Sequence, residues 1–408
     1  MTFNLLTYGY TNFARGDILE NMLILASRKV LDALNIKAVT EAGVSEPEVE
    51  DPDRVKLFTW KAEVITANKK KYLVAENIAT GYSVVISISS NKTLSEIEGN
   101  IFSAFRTCTF KERINPFNIQ GFNSEIRHIK WVESDKEDNM DEDTRKVGLI
   151  KDHAEFHIPK ETVQHKLTRI INRHAFKGVI PAEDDHRLRP HCAMAELLSK
   201  IYGYPPYIKG AYNVTVKVPI PGYKLSRSLL IPRETTFREL HSILQTAFGW
   251  SNSHLHNFTI MNNRRPALII EPKADDNFGF FSMAQTDHEA YDKPLVSVIG
   301  DSAKLLYTYD FGDNWEHVFR FNKYNPDYNL PYATCTKGQG VTPPEDVGGP
   351  YGFLEFNDII DDSENPEYEE MMDWGGSFKD RSFDIDFLNE DLRLLYEFKD
   401  PYLNPFFW

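Results

Sequence analysis

The stretch L-L-Y-T-Y-D-F-G-D-N-W-E-H-V, residues 305–318, decides how the second half of this chain is expected to fold. On either side of D-F-G-D-N, large apolar side chains alternate with polar ones, as is typical of strands buried on one face. Gly312, Asp313 and Asn314 favour a tight turn between these runs, because they tolerate the backbone angles of turns. The stretch therefore predicts two strands, 305–309 and 315–321, joined as a hairpin.

Further strands and helices are predicted before this hairpin. Y-N-V-T-V-K-V (212–218) alternates as a strand, with 228–231 as its partner. The next helix has an apolar face and ends at Gly249, and a strand follows over 254–260. A hairpin, a helix and a strand in this order favour a β-grasp-like opening. The expected fold class is α+β, with an antiparallel or mixed sheet packed against helices.

The first half has a pattern of its own. Periodic apolar residues predict a helix over 17–36, and β-rich runs between residues 55 and 88 predict a small antiparallel sheet. Y-G-Y-P-P-Y (202–207) marks a boundary, because proline cannot continue a helix. Since 408 residues exceed one compact core, we predict two domains, 1–205 and 206–408.

Composition excludes several classes of protein. The net charge of −14 argues against broad adhesion to nucleic acid or membranes. Cys108, Cys192 and Cys335 lie far apart, so neither a disulfide framework nor a zinc knuckle is indicated. The N-terminal residues do not read as a secretion signal, and no apolar run reaches the length of a membrane span. We expect a soluble, cytoplasmic protein.

Four motif groups of the second half occur in a fixed order. They are W-S-N-S-H-L-H-N-F (250–258), L-x-Y-x-Y-D-F-G-D-N-W-E-H (305–317), P-P-E-D-V-G-G-P-Y-G (343–352), and W-G-G-S-F with F-D-I-D-F-L-N (374–378 and 383–389). In this order they resemble the Ri-plasmid ORF-three-like family, whose members are also labelled TnpR-like transposon passenger proteins. The resemblance covers about residues 210–398. It implies an α+β fold and an association with mobile genetic elements, with no established reaction. We expect a protein linked to mobile elements or to host–phage conflict.

The first half carries a second resemblance. F-T-W-K-A-E-V-I-T (58–66), K-K-Y-L-V-A-E-N (70–77) and Y-S-V-V-I (82–86) form a tryptophan-led set of strands. This pattern resembles an uncharacterised small bacterial α+β domain, and it implies no chemistry.

Histidines and carboxylates are concentrated in the motifs of the second half. His254 and His256 are two residues apart on a predicted strand, so their side chains should point to the same face. Two imidazoles and nearby carboxylates can bind one divalent metal ion, which would activate water to hydrolyse a phosphate or an amide. The candidate ligands are His254, His256, Asp310, Asp313 and His317, and the loop acids Glu345 and Asp346 are further candidates.

The same motifs also have a structural interpretation. F-G-D-N can serve only as a turn, and the acids of P-P-E-D-V-G-G-P can cap a helix near Phe353. From the sequence we favour a binding protein without catalytic activity, whose groove takes an unknown ligand or protein partner. The candidate ligand-binding residues are Trp250, Tyr309, Trp315, Glu345, Asp346 and Tyr351.

Residues 160–191 form a basic patch in this acidic chain. One interpretation is contact with nucleic acid through Lys166, Arg169, Arg173 and Lys177. The other is a solvated helix face whose charge is balanced by acidic neighbours.

Overall fold

The computed structural model describes most of the chain. The described residues are 21–37, 39–40, 51–89, 92–134, 145–154, 157–158, 161–173, 189–262, 265–273, 285–299 and 304–397. The chain divides into two compact units. The N-terminal unit comprises Met1–Lys111 and Pro116–Tyr204, and the C-terminal unit comprises Glu112–Asn115 and Pro205–Trp408. Each unit has an open mixed sheet and packed helices, so the predicted α+β fold class is confirmed.

The described sheet of the N-terminal unit has six strands in the order β2-β6-β1-β3-β4-β5. These strands are β1 Asn21–Ala26, β2 Val39–Thr40, β3 Thr59–Ala67, β4 Lys70–Asn77, β5 Ser83–Ile88 and β6 His128–Glu133. Strands β3, β4 and β5 are antiparallel, which confirms the predicted small sheet. Strand β1 pairs in parallel with β3 and β6 and makes the sheet mixed.

The helix predicted over 17–36 is wrong for its central part. Asn21–Ala26 forms strand β1, and a helix begins only at Arg28, where the Ser27 side chain accepts a hydrogen bond from the Val30 backbone. The apolar run of β1 lies inside the sheet, and periodicity alone does not separate a short buried strand from a helix. Residues 17–20 lie outside the described residues.

The described helices of the N-terminal unit cover its sheet. They are α1 Arg28–Leu34, α2 Pro52–Phe58, α3 Leu94–Lys111, α4 Pro116–Glu125, α5 Arg145–Asp152, α6 His165–Arg173 and α7 Pro190–Tyr202.

The described sheet of the C-terminal unit has eight strands in the order β11-β10-β9-β12-β13-β7-β8-β14. These strands are β7 Ala211–Ile220, β8 Tyr223–Pro232, β9 His256–Asn262, β10 Arg265–Ile270, β11 Gln285–Thr286, β12 Lys304–Tyr309, β13 Trp315–Phe321 and β14 Thr334–Gln339. Neighbours in the sheet are antiparallel except β10 and β11, which are parallel. The predicted β12–β13 hairpin is confirmed, and these two strands separate β9 from β7.

Helices pack against this second sheet. The described ones are α8 Phe237–Phe248, α9 Leu295–Val298, α10 Gly349–Asp361, α11 Tyr368–Gly375 and α12 Ile385–Glu397, with 3-10 turns at Glu289–Asp292 and Gly376–Asp380. Helix α8 begins with a capping box between Thr236 and Glu239. It ends at Gly249, as the sequence predicted. Unlike the single apolar face expected from the sequence, nearly all of α8 is buried, polar residues included.

The register of β9, β12 and β13 determines which side chains enter the core. His256 pairs with Tyr309, and Tyr309 pairs with Trp315. Two residues further along, Tyr307 pairs with both Phe258 and His317. Because side chains two residues apart share a face of a strand, both rows point into the same buried layer. His256 and His317, two of the three histidines predicted as metal ligands, are therefore core residues.

Candidate functional site

A loop before β9 places His254 beside three carboxylates. Its Nε2 atom is 3.1 Å from Asp346 Oδ1, 3.6 Å from Glu345 Oε2 and 3.7 Å from Asp310 Oδ2. This nitrogen is shielded from solvent and has no hydrogen-bond partner among the described residues. The three motifs that carry His254, the F-G-D-N turn and the double-proline loop thus meet at one point.

Asp310 is held by the turn that it begins. Its backbone lies in the left-handed region with φ of 55°, and its Oδ1 accepts hydrogen bonds from the amides of Gly312 at 2.9 Å and Asp313 at 3.3 Å. Oδ2 is left facing His254 at 3.7 Å. The turn therefore fixes one carboxylate oxygen and presents the other to the site.

Glu345 is held by hydrogen bonds from the loop and from a strand. Its Oε1 accepts from the Ser251 amide at 2.6 Å, the Ser251 hydroxyl at 2.9 Å and the Tyr309 hydroxyl at 3.2 Å. Burial, followed by the nearby charge of Glu345, raises the pKa of Tyr309, so the phenol stays protonated and donates. Oε1 is thereby fully engaged, while Oε2 accepts from the same Tyr309 hydroxyl at 3.3 Å and also faces His254.

Asp313 was predicted to bind a metal ion, but in the structure it bonds to the double-proline loop. Its Oδ2 accepts a hydrogen bond from the Gly348 amide at 3.1 Å, so this carboxylate joins the turn to the double-proline loop. The prediction that the loop acids cap a helix near Phe353 is wrong. Helix α10 begins at Gly349, and its N-cap residue, Gly348, provides no side-chain cap.

His256 and His317 are not brought to His254. The predicted strand over 254–260 begins only at His256, so His254 lies in the preceding loop and does not share a face with it. His256 is 3% exposed and bonds to the Tyr291 hydroxyl at 2.8 Å. His317 is fully buried, and its Nδ1 donates to the Trp315 carbonyl while its Nε2 accepts from the Trp250 indole.

Three of the four aromatic residues predicted to line a groove lie in the core. Trp250, Tyr309 and Trp315 are buried and contact one another, with ring centroids 5.3 to 5.5 Å apart in the two pairs that include Trp250. Tyr351, in contrast, is 78% exposed. Trp250, Tyr309 and Trp315 therefore belong to the core, and only the Tyr309 hydroxyl reaches the site, where it donates to Glu345.

The described residues of the basic patch include few exposed cations. Arg169 and Arg173, on α6, are 8% and 3% exposed, and Lys166 is half-buried. Lys177 lies outside the described residues. The described part of this segment thus resembles neither an exposed phosphate-binding face nor the solvated helix face of the alternative.

A surface pocket of about 790 Å³ lies in the N-terminal unit. Lys56, Lys200, Asp53 and Glu196 contribute its charges, and Lys200 pairs with Asp53. Because the charges balance, the lining indicates no particular ligand, and no residue of the His254 cluster belongs to it.

Polar residues that the sequence did not single out surround the cluster. His241 and Gln245 on α8 bond to Asn252 of the His254 loop, at 2.7 and 2.8 Å. Spacing by four residues places both side chains on one face of the helix. An imidazole and an amide four residues apart, on the side of a helix that faces the next loop, are the signal that could have identified them.

The buried histidines predict how stability changes with pH. Burial lowers the pKa of His241 to about 3 and that of His317 to about 4, and it also lowers the pKa of His256. Below about pH 6.5 the unfolded chain binds protons that the folded chain excludes, so stability falls as the pH drops towards 4. We expect a loss of about 1.4 kcal/mol per pH unit for each such histidine. Urea unfolding measures the stability at each pH. In NMR spectra, the imidazole nitrogen shifts of these three histidines should stay constant from pH 7 to pH 5. A change in these shifts near pH 6.5 would contradict the prediction.

The cluster has the dimensions of a site for one metal ion. Ligand atoms of His254, Asp310 and Asp346 all lie within 4.8 Å of one another. Two ligands bound at about 2.1 Å are roughly 3.0 to 4.2 Å apart, depending on the bond angle. The distances from His254 Nε2, 3.1 Å to Asp346 and 3.7 Å to Asp310, fall in this range. The donors therefore fit one ion with small adjustments.

Comparison with known proteins connects this cluster to a family. Residues 210–391 match the model for plasmid pRiA4b ORF-3-like proteins. The uncharacterised protein y4hQ of Sinorhizobium fredii (strain NBRC 101917 / NGR234) is 32% identical over 160 residues, which cover 37% of this chain and 73% of that protein. The chain belongs to the plasmid pRiA4b ORF-3-like family. All residues of the His254 cluster lie in the part that matches the family model.

Two further comparisons gave matches, one to a family model and one to a solved structure. Residues 23–141 match a domain of unknown function, DUF6933. A crystal structure of the protein of unknown function MM3350 from Methanosarcina mazei Go1 has 29% identity and a TM-score of 0.38, and the match covers 44% of this chain and 98% of that one.

Within the described residues, no helix combines the length and apolarity needed to cross a membrane.

Proposed function

We propose that the C-terminal unit is a binding module that holds one divalent transition-metal ion through His254, Asp310 and Asp346. An ion held there would leave coordination positions open to a ligand from solvent. The observation that carries this proposal is the shielded His254 Nε2, which faces three carboxylates without a hydrogen bond. The nitrogen and the carboxylate oxygens are all electron-pair donors, and a cation placed between them would bond to all of them.

The donor set favours a transition metal over calcium or magnesium. Imidazole suits zinc, copper, iron and nickel ions, whereas calcium, magnesium and manganese prefer oxygen ligands. Three protein ligands leave coordination positions open, as in metal sites that accept water or a ligand. The Asp346 side chain is 69% exposed, so a ligand from solvent could reach an ion held at this point.

Calorimetric titration of the metal-free full chain with Zn²⁺ and Mn²⁺ tests the proposal. We expect one ion per chain, and we expect His254→Ala to lower the affinity by more than about 100-fold, because losing a ligand costs more than the 10–100-fold typical of supporting residues. His288→Ala is the matched control, since His288 is an exposed imidazole of the same unit outside the cluster. Equal affinity in wild type and His254→Ala would refute the site and leave His254 as a structural contact of the three acids.

A second candidate function, a metal-dependent hydrolase, is favoured by one observation. Glu345 Oε2 is 3.6 Å from His254 Nε2, while hydrogen bonds hold its other oxygen. A carboxylate placed beside a metal-bound water can act as a general base. Hydrolysis of a nitrophenyl phosphate ester that requires the metal and is lost in Glu345→Gln would establish catalysis, and metal binding without turnover would leave the binding module.

The biological setting we propose follows from the family. Its name refers to a plasmid reading frame, which supports a link to mobile genetic elements, and the TnpR-like relationship and a role in host–phage conflict belong to the same proposal. The buried Arg169 and Arg173 do not support nucleic acid as the partner.

A further inference from the structure

A closed ring of four hydrogen bonds lies directly behind the His254 loop. The Tyr307 hydroxyl is 2.8 Å from His241 Nδ1, and the Gln245 amide nitrogen donates to that hydroxyl at 2.9 Å. The Asn252 backbone amide donates to Gln245 Oε1 at 2.8 Å, and His241 Nε2 is 2.7 Å from Asn252 Oδ1. The ring joins α8, β12 and the loop.

Each donor in the ring has one matching acceptor. The amide oxygen of Asn252 only accepts, so the proton of His241 is on Nε2 and its Nδ1 accepts from the Tyr307 hydroxyl. The Tyr307 oxygen, in turn, accepts from Gln245. His241, Gln245 and Tyr307 are all buried. A buried network in which every member is satisfied is rigid, because any change leaves a polar atom without a partner.

Asn252 lies at the bend of the loop. Its φ of 57° is in the left-handed region, which asparagine and glycine tolerate better than other residues. The two residues after Asn252 are Ser253, whose amide donates to the Tyr309 hydroxyl at 2.9 Å, and the ligand His254. A loop pinned at Asn252 and at Ser253 has little freedom left at His254.

We infer that His241 and Asn252 are positioning residues for the cation site: they hold the 251–254 loop so that His254 faces Asp310 and Asp346 before any ion binds. This inference rests on the proposed metal site. Groups that orient a metal ligand without touching the ion typically change metal affinity by 10–100-fold.

Three variants of the full chain test the ring. Asn252→Gly removes the acceptor for His241 and suits the left-handed backbone, whereas Asn252→Asp keeps an acceptor oxygen at that position. Tyr291→Phe is the matched control, because it removes the hydrogen bond to His256, whose ring stacks on His241 at 3.6 Å, outside the ring of four bonds. Zn²⁺ affinity and amide hydrogen exchange at Ser253 and His254, corrected for intrinsic rates, are measured for each.

In Asn252→Gly we expect about 10-fold weaker Zn²⁺ binding and about 10-fold faster exchange at both amides. Asn252→Asp should restore slow exchange, and Tyr291→Phe should leave affinity and exchange at the wild-type values. Unchanged affinity and exchange in Asn252→Gly would overturn the inference, as would equal changes in Tyr291→Phe. If wild type binds no ion, the proposed function fails and so does the positioning of a ligand, while the exchange rates still show whether the ring holds the loop.

Discussion

Gly349→Ala is expected to lower the free energy of unfolding of the C-terminal unit by about 3 kcal/mol or more. Gly349 has a φ of 71°, and a side chain there would overlap the carbonyl oxygen of Asp313. The left-handed backbone accounts for about 1–2 kcal/mol and the overlap for the rest. Relief of the overlap moves the turn at Asp310 away from Asp346, so the affinity for Zn²⁺ should fall as well. Urea unfolding and calorimetric titration measure the two effects.

Gly249→Ala is the control for Gly349→Ala. Gly249 has nearly the same φ, 72°, but a Cβ there meets no atom within 4 Å. We expect only the backbone cost of about 1–2 kcal/mol, with unchanged affinity for Zn²⁺. The difference between the two variants isolates the close approach of the two loops. Equal destabilisation would mean that the contact with Asp313 carries no cost.

Asp310→Asn should lower the affinity for Zn²⁺ by more than about 100-fold while leaving the unit folded. Asparagine also tolerates a positive φ, and its side-chain oxygen can accept the two amide bonds that Asp310 Oδ1 accepts now. The other oxygen, which faces His254, becomes an NH₂ group that cannot bind a metal ion. Calorimetric titration gives the affinity, and thermal unfolding without added metal verifies the fold.

Asp310→Ala separates the two roles of this side chain. It should lose the metal and also destabilise the turn, because the amides of Gly312 and Asp313 lose their acceptor. If Asp310→Asn binds Zn²⁺ as tightly as wild type does, Asp310 serves the turn alone and the proposed ligand set is wrong.

The fold was predictable from sequence where local patterns determine it. The alternation on both sides of F-G-D-N gave the β12–β13 hairpin, and Gly249 gave the end of α8. Strand β1 was not predictable in this way, since a short apolar run in the middle of a sheet has no polar face to reveal its period. Its pairing with β3 and β6 is decided by tertiary contacts.

The site divides along the same line. The grouping of His254 with Asp310 and Asp346 followed from motifs that place polar residues on turns. The burial of His256 could not be predicted from these motifs, because it depends on whether the strand begins at residue 254 or at residue 256. A shift of this kind moves a side chain from a loop to the core, and only pairing with Tyr309 across the sheet settles it.

The candidate ligands His254, Asp310 and Asp346 come from three segments that are far apart along the chain. An unfolded chain does not bring such groups together, so an ion bound by all three would be released on unfolding and would stabilise only the folded form. Such an ion would act as a removable cross-link between the three segments. The concentration of free metal would then determine how much the ion stabilises this part of the protein.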